Sequence, residues 1–444
     1  MKKLLSLSIP LIISQLVAVA LVFTDVWMMS RLSVADLAAG GLGASVYNFV
    51  FILAASTVGC VANLIAIAYG QRTARPEYGD QQIRFAVKGG VLLAAILSIA
   101  LTISFMFMPA LLAYAKQPHD VIGLAMEYVD TLKWAMLPTL LMLVLRGLTS
   151  TLGNARSIMV MSVATVILNV PVSYLFAFEM GYGLAGLGAG TALAAAVVLL
   201  GYGYWVFKQP KYRQYAPWLK LEEYSIRLLK PLLMLGVPIA LAAFLEHGLI
   251  YGGTLMAGVL SVSALALHQV LLQCLSFTWN INFGFCQAAA ILVGRAYGEE
   301  DLDAIRRISK HSFVTVTLVS MAICAAFVFW PSIISAIFGL DTELSALLAS
   351  IIWVVALSFV VDAWQLLAIN ILRGMKIVMA PTVMTAIGYW ICGIPAAWWL
   401  MSAFGLGGIW AGIGIGLAVT GILLLVLMVY AMTPKRFNAH LVTA

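Results

Sequence analysis

The sequence predicts an all-α membrane protein: twelve transmembrane helices forming two parallel-repeat six-helix bundles around a central cavity. Three observations predict it. Of 444 residues, 63% are hydrophobic and 10% are charged, against about 45–50% and about 25% in soluble domains. The apolar residues lie in long runs without alternation, and the pattern of residues 10–70 recurs at 238–298. No core hides that much apolar surface, so a water-soluble globular protein is excluded. The absence of charged tracts and tripeptide periods excludes disordered, collagen-like and nucleic-acid-binding classes.

A helix needs about 20 apolar residues to cross the hydrocarbon core. Runs bounded by Gly, Pro and charged residues place spans near 4–29, 42–69, 86–113, 123–145, 157–178, 183–207, 228–257, 263–294, 311–338, 344–371, 378–403 and 407–431. Transmembrane β-strands alternate apolar and polar residues, and stretches such as Val91–Met106 and Thr420–Tyr430 do not. The opening Lys2-Lys3, apolar run and Ala18-Val19-Ala20 have the outline of a cleavable signal. The repeat counterpart Leu233–Met256 lies inside the chain, so the opening run is read as the first span.

With the N-terminus cytoplasmic, 22 of the 25 Lys and Arg fall on the cytoplasmic side, leaving Arg31, Lys116 and Lys133 outside. The positive-inside rule then puts both termini in the cytoplasm of a multi-pass plasma (inner) membrane protein. The net charge of +7 is therefore topological, and no nucleic-acid partner is implied. The five cysteines (Cys60, Cys274, Cys286, Cys324, Cys392) all fall in spans without a CxxC pair, and read as small core residues.

Residues 10–70 align with 238–298 without a gap: Pro10 meets Pro238, and Leu32-Ser33-Val34 meets Leu260-Ser261-Val262. Later, Gly183-Leu184-Ala185-Gly186 meets Gly405-Leu406-Gly407-Gly408 at an offset of 222 instead of 228, so a small deletion lies between. The expected organisation is an N-terminal six-helix lobe (1–207), a cytoplasmic linker (208–226) and a C-terminal six-helix lobe (227–444). Six spans are an even number, so the repeats are parallel, an arrangement that commonly carries a substrate site between rocking halves.

Of the 18 acids, 15 lie in loops and three do not: Asp25, Glu246 and Asp362. A carboxylate at the bilayer centre costs about 2.5–3.5 kcal/mol on translocon scales. No Lys or Arg lies in the central stretch of any span, so no fixed cation is expected beside them. Desolvation disfavours a lone carboxylate, so each acid is expected to be protonated or to hold a mobile cation, such as a transient Na+ at Glu246 and Asp362. Glu246 aligns with Ala18 and Asp25 with Gly253, while Asp362, at offsets near 220–222, falls opposite Leu140–Leu141. The three acids are thus not part of the shared scaffold. Polar neighbours that could complete the sites are Gln269, Gln273, Asn280 and Asn282 on the eighth span, and Asn169 and Ser173, one turn apart, on the fifth. Interhelical hydrogen bonding is their alternative use.

The duplicated layout, with Pro10…Thr24-Asp25…Leu37-Ala38-Ala39-Gly40 and its second copy from Pro238, resembles the multidrug and toxic compound extrusion (MATE) family over almost the entire chain. Acids in the first, seventh and tenth spans resemble its NorM branch. In the DinF-like branch an acid is expected on the fifth span, where Ser173 stands here. The resemblance implies export of lipophilic, often cationic compounds against Na+ or H+, with Asp25, Glu246 and Asp362 binding the cation or the drug. It also implies small-molecule drugs as partners, a monomer in the lipid bilayer, and no cofactor beyond the coupling ion.

A lipid-linked oligosaccharide flippase of the same fold is the alternative, but its anionic pyrophosphate would call for central Lys or Arg. An enzyme is not expected. The histidines form no HExxH pattern, and Glu246 and His247 are adjacent and so point about 100° apart on a helix. Gly181-Tyr182-Gly183-Leu184-Ala185-Gly186 matches GxGxxG but opens a membrane span instead of a βαβ unit.

Overall fold

In lipid, every backbone donor must be satisfied within its own segment, which leaves helices as the simplest way across. The computed structural model describes residues 2–114 and 119–443, and no strand occurs among them. Lys116, assigned above to the outer side, lies outside these residues.

Eleven helices among the described residues are long and apolar enough to span a membrane: α1 (Lys3–Leu32), α2 (Val34–Gln71), α3 (Pro76–Tyr114), α4 (His119–Thr151), α5 (Ala155–Glu179), α6 (Gly183–Lys208), α7 (Ile226–Leu260), α8 (Val262–Gly298), α9 (Leu302–Phe329), α10 (Thr342–Gly374) and α11 (Met379–Ala431). A short helix α12 (Pro434–Thr443) follows.

Twelve spans were expected. The last two run on as one 53-residue helical stretch, which bends at Gly405, where φ is 56° and ψ −132°, a conformation open essentially to glycine. The ninth span also shifts. It begins near Leu302 because Asp301 caps it, its side chain accepting from Ala304 N at 2.8 Å. It stops at Phe329 because Pro331 cannot continue a helix and instead opens the short helix Pro331–Phe338.

The chain packs as two compact units, Ile13–Ala240 and the residues from Leu241 onward together with the chain up to Ile12. Both boundaries fall inside helices, α1 and α7. Within the first unit, α7 begins against α2: Thr57 lies beneath Gly236, and Cys60 Sγ donates to Leu232 O at 3.4 Å. Within the second, Ile12 packs on Gly284 of α8.

The duplication is visible contact by contact. Ser33 and Ser261, at an offset of 228, are both extended residues that cap the next helix. A Cβ on Gly186 would lie 2.6 Å from Ala177 N, and one on its counterpart Gly408 would overlap the Leu400 carbonyl and lie 2.9 Å from Met401 N. Gly147 packs on Ala62 and Gly374 on Ala290, which fixes the offset at 227 for α4 and α10. The residues that follow these helix ends, Gly153 (φ 93°) and Lys376 (φ 61°), differ by 223. The deletion is therefore one helical turn at the end of α10. It follows that Asp362 stands opposite Ala135, and not opposite Leu140–Leu141 as expected from the sequence.

Residues 208–226 do not hang free. Lys88 of α3, its side chain fully buried, donates to Lys220 O at 2.6 Å and to Glu223 Oε2 at 2.7 Å, and Arg84 reaches Glu223 Oε1 at 3.3 Å. The Tyr215 hydroxyl donates to Asp80, which also pairs with Arg72 at 3.0 Å, and Lys211 donates to Leu152 O. This segment is thus strapped to α3 and the end of α4 in the first unit.

Two predictions follow from this packing. Gly408→Val should lower the unfolding temperature of the detergent-solubilised protein, reflecting a loss of about 3 kcal/mol from overpacking. Gly201→Ala, with nothing within 4 Å of the added Cβ, should raise it slightly. Equal effects would contradict the proposed helix crossing.

Burial alone would raise the Glu223 pKa, but hydrogen bonds from Lys88 and Arg84 outweigh it and hold the carboxyl below the ordinary carboxylate range. Its contribution is therefore present above the unfolded value near about 4.3 and lost as pH falls through the lower folded value. Glu223→Ala, which strands buried Lys88, should cost about 3 kcal/mol at neutral pH and less in acid. Thermal melts across pH check this, and a cost independent of pH would contradict it.

Candidate functional site

In the unit from Leu241 onward, four helices bring chemistry together. α7 contributes Glu246, α8 Trp279 and Cys286, α10 Asp362, Gln365 and Arg373, and α11 Tyr389. Asp362 is 4% exposed, and Gln365, one turn on, donates its Nε2 to Asp362 Oδ1 at 3.0 Å. Residues three apart share a helix face. Glu246 and Asp362 act on one another electrostatically, and the Trp279 indole N–H is directed at Glu246. Tyr389 is fully buried, feels both carboxyls, and its hydroxyl has no hydrogen-bond partner.

One expectation is corrected here. The charge of the Arg373 guanidinium reaches Glu246, although no ion pair joins the two side chains among the described residues. From the sequence Arg373 reads as a loop residue, but α10 continues to Gly374 and ends in a tight cap closed by Ile377 N to Leu372 O at 2.9 Å. Helical side chains lean toward the helix N-terminus, so Arg373 projects back along α10 instead of outward.

Asp25 lies in the other unit. Its Oδ1 is buried without a partner, and its charge reaches Tyr128. In the same unit Asn169 and Ser173 are fully buried on α5. Asn169 Nδ2 donates to Thr191 Oγ1 at 2.9 Å, leaving Asn169 Oδ1 and Ser173 Oγ without partners.

The eighth-span amides fare differently. Gln269 and Gln273 share an exposed face, and Asn280 Nδ2 bonds back to Ser276 O at 2.8 Å on its own helix. None of these three bonds to Glu246 or Asp362. Asn282 is buried and accepts from Ser320 at 3.1 Å.

Sequence reasoning missed Arg373, Tyr389, Trp279 and Gln365. Gln365 was findable from its i+3 spacing to Asp362. Trp279 sits one residue, about 100°, from the chosen Asn280. Tyr389 lies in a π-helical turn over Ile387–Gly393 that shifts the helix register, and no spacing rule signals such a turn.

What the arrangement can do follows from its donors. Carboxyl oxygens with a hydroxyl and an amide beside them suit a proton or a hard cation such as Na+, while His/Cys clusters suit softer metals.

The MatE family model matches the chain twice, over residues 10–175 and 238–399, once in each repeat. The chain belongs to the MatE family. A "Probable multidrug resistance protein NorM" of Pseudomonas putida is 32% identical over 441 residues, 96% of this chain and 93% of its own length. One of the same description from Pseudomonas aeruginosa is 30% identical over 434 residues, covering 95% and 88%. These MatE relatives agree with the NorM resemblance read from the placement of the acids. Among solved structures, "Crystal structure of MATE in the bent conformation" aligns with a TM-score of 0.88 at 21% identity, over 100% of this chain and 96% of its own. "Outward-facing conformation of a multidrug resistance MATE family transporter of the MOP superfamily" gives 0.88 at 20%, covering 99% and 96%. The MatE fold and eleven apolar helices make the chain an integral membrane protein.

The unpartnered Tyr389 hydroxyl gives a test. Tyr389→Phe should leave thermal stability unchanged or slightly higher, since no bond is lost on folding, yet weaken binding of the coupling cation. Cation titration followed by tryptophan fluorescence reads this, and unchanged affinity would remove Tyr389 from the site.

Proposed function

We propose that this chain is a secondary active multidrug efflux antiporter, exporting lipophilic and cationic organic compounds in exchange for Na+ or H+ by alternating access. It works as a monomer in the plasma (inner) membrane, with both termini cytoplasmic and no resident cofactor or catalytic centre. The observation that carries the reading is the Glu246–Asp362 pair: two carboxyls from helices far apart in the sequence, set within apolar spans, with Asp362 buried, Glu246 half-buried and the charge of Glu246 reaching Asp362. The relatives named as multidrug resistance proteins support the substrate class.

The coupling has a simple physical basis. An uncompensated carboxylate inside the membrane costs about 2.5–3.5 kcal/mol on translocon scales, and about 1.4 kcal/mol is a factor of ten. A site neutralised by a proton, Na+ or a cationic drug is therefore easier to occlude than an empty one by roughly a hundredfold. Drug and cation compete for the same negative charge, so each drives the release of the other. Asp25 with Tyr128 adds a second acidic point in the other unit. A lipid-linked oligosaccharide flippase is not favoured, since an anionic pyrophosphate would meet two carboxyls and a single guanidinium.

Glu246→Gln and Asp362→Asn should each abolish gradient-driven dye transport in everted vesicles, with the purified proteins still melting as the wild type does. Asp25→Asn should reduce it. Collapsing the Na+ and H+ gradients separately identifies the coupling ion. Unimpaired transport in both the Glu246 and Asp362 variants would overturn the assignment.

A further inference from the structure

Helix α11 leaves the bundle through a turn that is pinned from within. Arg306 Nη2, on α9, donates to Met432 O at 2.7 Å, and Phe437 of α12 is buried edge-on against Tyr297 of α8, with ring centroids 5.8 Å apart. Thr433 closes the turn: its Oγ1 donates to Tyr430 O at 2.8 Å, and its carbonyl accepts from Phe437 N at 2.9 Å. With Phe437 turned inward, Lys435 and Arg436 stand on the exposed side of α12. Here lies a cavity of about 440 Å³, lined by Tyr430, Thr433, Lys435, Arg436 and Ala439. None of the five is acidic, and Asp303, on the helix that pins the turn, is engaged by Arg306 itself at 3.5 Å.

Before the cavity, the surface of α11 is apolar. Ile422, Val426 and Val429, at helical spacing, form one exposed face, while Thr420, Leu424 and Met428 are buried. In a helix that spans a membrane, such a face meets lipid chains. Tyr430 ends this face where the charged side chains begin, the level at which tyrosine collects in membrane proteins. Arg436 Cζ lies 4.9 Å from the Tyr430 ring centroid, a cation–π contact that holds the guanidinium over the ring. Lys435 makes no ion pair among the described residues. The first half ends its last span in the same Pro-Lys pair, Pro210-Lys211, but that lysine donates to Leu152 O within its own unit.

We propose that this cavity holds the phosphate of an anionic phospholipid of the phosphatidylglycerol kind, whose acyl chains lie along Ile422, Val426 and Val429. Arginine offers paired N–H donors to two phosphate oxygens, and lysine adds a compact charge beside them. The volume is that of a small-ligand site, about 300–1,000 Å³. A cationic drug is repelled by both side chains, so the cavity is separate from the transport route. Soluble phosphate would use the same charges but leave the apolar face uncovered; the continuity of cavity and face selects the lipid. The proposal requires only that α11 spans the membrane, and is independent of the coupling-site reading.

The test measures radiolabelled phosphatidylglycerol retained by the purified protein in detergent micelles, against phosphatidylcholine, which carries the same phosphate without net charge. Wild type should retain phosphatidylglycerol above the phosphatidylcholine level. Lys435→Gln and Arg436→Gln should each weaken binding about fivefold, the size expected for one basic side chain at an anionic membrane surface, and the double variant should fall to the phosphatidylcholine level. Tyr430→Ala should lose as much as Arg436→Gln, whereas Tyr430→Phe, which keeps the ring under the guanidinium, should bind as wild type does. Arg213→Gln, an exposed charge just past the last span of the first half, should change nothing. Melting of the lipid-free variants checks that they fold, and phosphatidylglycerol should raise the melting temperature of wild type but not of the double variant. Unchanged retention in the double variant, or an equal loss in Arg213→Gln, overturns the proposal, the latter by reducing it to a general attraction of lipid to basic surface. Inorganic phosphate at millimolar concentration should leave the lipid in place; full displacement by it would make this a soluble-phosphate site and defeat the lipid assignment.

Discussion

A carboxyl group in a medium that cannot solvate it is the constraint on which the rest of this structure depends. Water would screen Glu246 and Asp362; a helix bundle in lipid does not. Several neighbours answer that demand: the Gln365 amide donates to Asp362, the Trp279 N–H and the charge of Arg373 act on Glu246, and the Tyr389 hydroxyl, without a partner, feels both carboxyls. What those groups do not neutralise must be neutralised by something that comes and goes. A transport cycle needs that unfilled charge, and a purely structural ion pair would not leave one.

The duplication shows how such a site arises on a symmetric scaffold. Packing has been kept: the Gly186 and Gly408 contacts, the Gly147 and Gly374 contacts and the Ser33 and Ser261 caps are the same in both halves. Close approach of backbones is what holds helices together in lipid, where apolar side chains gain little by leaving one apolar phase for another. Charge has been changed. The first half has Ala18 and Ala135 where the second has Glu246 and Asp362, and Asp25 has Gly253 as its counterpart. Losing one turn from the end of α10 also brings Arg373 to within a turn of the helix end while Arg146 stays deeper in α4.

Much of this is legible in the sequence because membrane spans are long and unmixed. The spans, the duplication and the three acids all follow from counting apolar residues and asking which charges do not fit. The failures have physical reasons. Arg373 reads as a loop residue because hydropathy marks where lipid ends, not where the helix ends, and the lean of its side chain is invisible in one dimension. Tyr389 is hidden by a π-helical turn, and α9 moved because an Asp301 cap and Pro331 override its apolar window. Gln269 and Gln273 share a face as expected, but it is an exposed one. Residue type picks out the candidates; which face of a helix is buried is beyond it.

The central claim is that the Asp362 carboxyl changes state when drug replaces cation. Infrared difference spectroscopy of the purified transporter, recorded as ethidium displaces the bound cation, observes that carboxyl directly. The account predicts a carboxyl band that shifts on dye binding and is lost from the difference spectrum of Asp362→Asn. A spectrum in which no carboxyl responds to the dye, or in which the band persists in Asp362→Asn, would contradict it.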